Sequence, residues 1–224
     1  MMAYLADLST ILLPNPALLA AFALATIVLA ITPGPDMALF LSRALNFGRA
    51  HGFAALAGAC SGILIHTLLV ALGISVLIAT APTAFLVLKI VGALYLIWLA
   101  IGALRAGNNV QFNFGKSTKQ PSLKKSYLTG VGINLLNPKI VLFFMTFLPQ
   151  FVVAGDPYAA HKLFTLGILF IVISLPLTVA MIAGADWLSK ALQKSKWIGR
   201  ALNYSFAAVF TAFAATILTA QARH

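Results

Sequence analysis

Residues 17–44 read ALLAAFALATIVLAITPGPDMALFLSRA. The run is apolar from Ala17 to Thr32, breaks at Pro33-Gly34-Pro35, and resumes from Asp36 to Ala44. Proline has no backbone N–H and its ring clashes with the preceding turn, so no continuous helix passes through this string. In hydrocarbon every backbone polar group needs a partner within the protein, and irregular backbone survives there only when it is enclosed or lines a wet cavity. The stretch before the break is barely long enough to cross a bilayer core of about 30 Å. The break therefore lies either deep in the membrane or near its cytoplasmic side.

Five further blocks extend this pattern: 53–81, 83–104, 126–154, 163–185 and 201–220. The fourth is interrupted at Asn137-Pro138-Lys139 near its middle, and the fifth contains Pro176, a kink. The whole chain is 61% hydrophobic and 8% charged, with mean hydropathy +0.99. A water-soluble domain carries about 25% charged residues. The blocks are continuous, not alternating, which argues against barrel strands. The expectation is an all-α, polytopic membrane protein with six transmembrane helices, the first and fourth broken by proline.

The net charge of +11 does not point to nucleic acid, because the basic residues sit in short blocks between apolar runs. The connections after blocks one, three and five hold eleven Lys and Arg: Arg43, Arg49, Arg105, Lys116, Lys119, Lys124, Lys125, Lys190, Lys194, Lys196 and Arg200. The opposite side holds Lys162 and Arg223. Such a bias places the basic loops in the cytoplasm and both termini outside. No Lys or Arg precedes the first block, so it reads as a retained span and not a cleaved signal peptide. The polar stretch 106–125 reads as a linker within one membrane domain (1–224). It joins a three-helix half, 17–105, to a second, 126–220. Three crossings per half invert the second relative to the first, an arrangement common in transporters.

Each break carries a charge, Asp36 at one and Lys139 at the other. An ionisable group at mid-bilayer costs at least about 2.5–3.5 kcal/mol, so both are functional candidates. Facing one cavity, Asp36 suits an ammonium group and Lys139 a carboxylate, or the pair exchanges protons. Asn134 and Asn137 add donors and acceptors. The competing reading has Asp36 capping its half-helix while Lys139 pairs with it or snorkels. His66, in block two, is either a proton relay or an interhelical hydrogen-bonding group. Lys89, near the outer end of block three, fits snorkelling. Phe143, Phe144 and Phe147 are lipid-facing or packing residues. Gly48-x-x-x-Gly52 and Gly58-x-x-x-Gly62 are close-packing motifs that serve ordinary helix contacts or a homodimer. One cysteine, Cys60, excludes a disulfide framework, and no metal-ligand spacing or cofactor motif is present.

Four motifs in order resemble the LysE/RhtB family of amino-acid exporters. They are Thr32-Pro33-Gly34-Pro35-Asp36, Gly92-Ala93-Leu94-Tyr95-Leu96-Ile97-Trp98-Leu99, Asn134-Leu135-Leu136-Asn137-Pro138-Lys139, and Phe143-Phe144 with Leu148-Pro149-Gln150-Phe151. The resemblance implies a non-enzymatic secondary transporter of the bacterial inner membrane that exports amino acids or close derivatives and draws on the proton gradient. It also implies that Pro33, Gly34, Pro35, Asp36, Asn134, Asn137, Pro138 and Lys139 form the working site. Two rival readings fit less well. An aspartyl intramembrane protease needs a second embedded aspartate beside Asp36, and a channel favours rings of like charge.

Overall fold

The computed structural model describes residues 16–106, 120–153, 155–194 and 196–221. Asp7, Lys116, Lys119, Arg223 and most of the expected linker lie outside the described residues. Among those described, regular structure is helical throughout: α1 (Pro16–Ile31), α2 (Pro35–Phe47), α3 (Arg49–Thr80), α4 (Pro82–Ala106), α5 (Leu123–Leu136), α6 (Pro138–Leu142), α7 (Ala159–Ala183), α8 (Ala185–Lys194) and α9 (Lys196–Gln221). Three stretches are long and apolar enough to cross a membrane unaided: Arg49–Leu77, Thr83–Arg105 and Ala159–Ala183. Two bent pairs raise the number to five, α1 with α2 at 50° and α5 with Pro138–Phe151 at 52°.

Both bends fall where the sequence places the breaks. At the first, Pro33 and Pro35 cannot donate to the carbonyls one turn earlier, so α1 ends at Ile31 and α2 restarts with proline at its first position. At the second, Pro138 opens α6 and the Asn137 side chain caps it, Oδ1 accepting from the Lys139 N–H at 3.1 Å. Beyond α6 the chain departs from the expected plain helix. Phe143–Phe147 form a π-helical turn and Leu148–Phe151 a 3₁₀ turn.

That distorted segment sits at the centre of the bundle. Phe143, Phe144 and Phe147 are fully buried and meet Phe22, Phe151, Phe170, Phe210 and Phe213 in tilted and edge-on pairs. Of their two expected roles the packing role is the one observed. Gly92 makes room for this turn, since a Cβ there would lie 2.7 Å from Thr146 Cβ. The Lys89 ammonium donates to the Val152 carbonyl at 3.3 Å and lies over the Phe85 ring, one turn toward the start of α4.

The tightest interhelical contact joins α3 to α5. A Cβ on Gly58 would lie 2.0 Å from the Tyr127 carbonyl oxygen, and one on Gly130 would lie 2.1 Å from that of Ala55. Gly52 similarly faces Ile182 of α7 and Ala44 of α2. Gly62 faces the Asn134 side chain of α5, so three of the four motif glycines are engaged inside the chain. Gly48, their remaining member, joins α2 to α3 with φ +91°, a conformation that favours glycine. At one end of this contact His51 is buried between Ser126 and Gln120, at 3.0 Å from each.

The bundle's outward faces are apolar: Leu69, Leu72, Leu94, Trp98, Val172 and Leu136 are each more than half exposed. Water would penalise so broad an apolar exterior, and lipid would not. Between α7 and α9 the short helix α8 is amphipathic, burying Ala185 and Ser189 while exposing Trp187, Lys190 and Asp186.

Candidate functional site at the two helix breaks

The two breaks meet. Asn134 and Asn137 both donate through Nδ2 to the same Asp36 oxygen, Oδ2, each at 3.0 Å. These bonds join residues about a hundred positions apart and fasten α2 to the junction of α5 and α6. Asp36 does not cap α2: the N-cap position is Gly34, in extended backbone, and no side chain bonds there. The capping reading of Asp36 is therefore not the one the structure supports.

Lys139 reaches the other way. Its ammonium donates to the Thr32 carbonyl at 2.8 Å and lies 5.9 Å from the Phe206 ring centroid of α9. The Thr32 carbonyl belongs to the break, where the turn that would have satisfied it is missing. Thr32 itself returns its hydroxyl to the Val28 carbonyl. Among the described residues the ion pair is Lys162–Asp156 at 2.7 Å, so Asp36 and Lys139 share the site without a direct salt bridge.

Two acceptors there have no donor. Asp36 Oδ1 and Asn134 Oδ1 are buried and unpartnered. A buried polar atom left unpaired costs about 1–3 kcal/mol, so two of them on hydrogen-bonded neighbours suit a guest that donates hydrogen bonds. The geometry of Asn134 depends on a glycine. A Cβ on Gly62 would come within 2.6 Å of Asn134 Oδ1.

The site opens into a cavity of about 60 Å³. Its polar lining comprises Thr32, Asp36, Asn134, Asn137 and Lys139 on one side and Ser174 with Thr178 on α7. Gly34 also lines it, while Pro33, Pro35 and Pro138 shape its wall by ending the helices. Ser174 and Thr178 flank Pro176 and donate to carbonyls of their own helix, Ile171 and Ser174.

His66 is not part of that lining. It lies one turn beyond Ile63, buried against Phe144 at 5.9 Å between ring centroids. The Asn134 carbonyl, which Pro138 cannot satisfy, accepts from the Asn137 N–H at 3.1 Å. The His66 Nε2 is buried without a partner. The residues that sequence reasoning missed are Gly62, Ser174 and Thr178. Gly62 was visible as half of a packing motif; the two hydroxyl residues gave no signal beyond bracketing a proline.

Taken together these features define a helical membrane protein whose polar cavity lies where two proline-broken helices meet. The chain belongs to the LysE type translocator family, whose model matches residues 27–221. It is 31% identical to the homoserine/homoserine lactone efflux protein of Salmonella typhi over 91% of this chain and 96% of that one. It is 28% identical to the leucine efflux protein of Klebsiella pneumoniae over 85% and 90%. An uncharacterized membrane protein of Vibrio cholerae is 30% identical over 90% and 97%. No solved structure matches the chain.

Proposed function

We propose that the protein is a secondary transporter that exports amino acids or close derivatives from the cytoplasm, with the two helix breaks as its binding site. The observation that carries this reading is the buried pair of free acceptors, Asp36 Oδ1 and Asn134 Oδ1, beside a cavity that also holds the Lys139 ammonium. An α-amino acid has the complementary groups: the acceptors take its ammonium, and the N–H groups that Lys139 does not give to Thr32 take its carboxylate. Membership of a translocator family and likeness to two efflux proteins support the direction of transport.

The site is built from both halves of the chain, which suits alternating access, each half rocking about the shared centre. An inverted repeat accounts for the pattern: each half opens on a helix bent by about 50°. Helices that would correspond across the halves pack on each other, α3 on α7 and α4 on α9. In this arrangement α9 is the sixth crossing. Its 26 residues extend about 39 Å at about 1.5 Å per residue. The basic connections face the cytoplasm of a bacterial cell and the termini face outside. Proton coupling runs through Asp36, the carboxylate at the centre of the network, with His66 next to it on the outward side. Gly52, Gly58 and Gly62 being engaged within the chain, a homodimer would need a different surface.

Uptake into inverted vesicles tests the reading. Asp36→Asn is expected to lower amino-acid transport about 10- to 100-fold, the equivalent of one charged hydrogen bond of about 1.5–3 kcal/mol. Unchanged transport in both Asp36→Asn and Lys139→Ala overturns the site.

A further inference from the structure

The polar groups of the cavity are unevenly placed, and their placement restricts the guest. Its charged side chains are Asp36 and Lys139, both at the breaks, contributed by α2 and α6. Thr32, Asn134 and Asn137 lie at the breaks with them, whereas the lining contributed by α2, α3 and α7 away from the breaks is mostly apolar, with Met37, Phe40, Leu56, Ile63, Phe170 and Met181 beside Ser174 and Thr178. Resting on the reading of the breaks as the amino-acid site, we propose that the transported amino acid has an uncharged side chain, lodged between α3 and α7.

Charge balance in a confined space sets this restriction. The α-ammonium and α-carboxylate engage the carboxylate and the ammonium that the cavity offers. A lysine side chain would bring a second cation to a wall of Met, Phe, Leu and Ile, and a glutamate side chain a second anion, with no counter-charge in reach. Leaving a charge unpaired in such surroundings weakens binding by roughly a hundredfold or more. A neutral side chain meets no such penalty. The Ser174 and Thr178 hydroxyls already donate to their own helix, so they remain acceptors for a side-chain hydroxyl without demanding one.

Cys60, the chain's single cysteine, lies in the same lining and is partly accessible, so it reports directly on occupancy. The test measures the rate at which N-ethylmaleimide alkylates Cys60 in the full-length protein, with and without leucine, homoserine, threonine, lysine or glutamate. One or more of the neutral amino acids is expected to slow alkylation at least about tenfold, while lysine and glutamate at equal concentration leave it unchanged. Protection by lysine or glutamate equal to that by the best neutral amino acid overturns the side-chain inference but leaves the site standing. Protection by none of them overturns the site itself. Counterflow in proteoliposomes gives an independent reading: excess lysine should fail to compete with a labelled neutral amino acid, and competition would overturn the inference. In Thr178→Asp the missing counter-charge is supplied, and lysine is expected to begin to protect Cys60. Lysine protecting the native protein equally well would remove that contrast and the proposal with it.

Discussion

Asp36 is held by two asparagines on one oxygen and is open on the other. That asymmetry explains why a single substitution at each partner should have a distinct outcome. Asn137→Ala removes a donor to Asp36 and the cap of α6 together, costing about 1 kcal/mol for the cap alone. Both transport and thermal stability in detergent are expected to fall. Gly62→Ala should reduce transport as far as Asn134→Leu does, because an added methyl would displace the Asn134 side chain from Asp36. Measured vesicle uptake in the two variants checks this, and normal uptake in Gly62→Ala would show that Asn134 has room to move. Asp156→Asn provides a contrast outside the site: its pair with Lys162 is partly exposed, a class worth about 0–1 kcal/mol. Its loss should leave uptake unchanged. At this scale the sequence was informative about Asp36, Lys139 and the asparagines, since a charge or amide beside proline in an apolar run has few explanations. It said nothing of which oxygen meets which nitrogen, because that depends on contacts between residues about a hundred positions apart.

Helix breaks and glycine contacts set the geometry at the next scale. The α3–α5 crossing relies on Gly58 and Gly130, each facing a backbone carbonyl of the other helix at a distance no Cβ tolerates. Backbone atoms cannot rotate away as a side chain can. Gly58→Ala and Gly130→Ala are therefore expected to destabilise the bundle by at least about 1–3 kcal/mol, seen as a lower melting temperature in detergent. Gly102→Ala and Gly132→Ala, with open space at the same position, should be neutral. The apolar blocks made the long helices legible, and Pro33, Pro35 and Pro138 fixed the bends to within a residue or two. The π-helical turn at Phe143–Phe147 was not legible. Its cause is tertiary: the crowded phenylalanines and the close approach of Gly92 reshape a segment whose own sequence reads as ordinary helix. The short helix α8 is amphipathic but not apolar enough to span, so in the sequence its Lys190 and Lys194 mark it as part of a basic connection.

For the whole molecule, the uneven distribution of Lys and Arg leads to a topological prediction. Reporter fusions after Arg105 should be active only with a cytoplasmic reporter, and fusions after Asp156 only with an external one. The reverse pattern would invert the direction in which the site is read. The sequence was strong on membrane residence, because composition leaves no alternative, and weaker on how the helices pack, because hydrocarbon-facing and core-facing residues are equally apolar. Leu69 and Phe144 illustrate the problem, one exposed and the other fully buried with nothing in their local sequence to tell them apart.

The contact of buried His51 with Ser126 and Gln120 has a consequence for how the protein could be made. These bonds tie the segment before α5 to the start of α3, beside the Gly58–Gly130 contact. The contacts that join the chain before Ala106 to the chain after Gln120 thus lie in their shared surface and do not run through the peptide link between them. A gene cut there into two separately translated pieces should yield fragments that co-purify and together restore export. The same pieces carrying Gly130→Ala should fail to find each other.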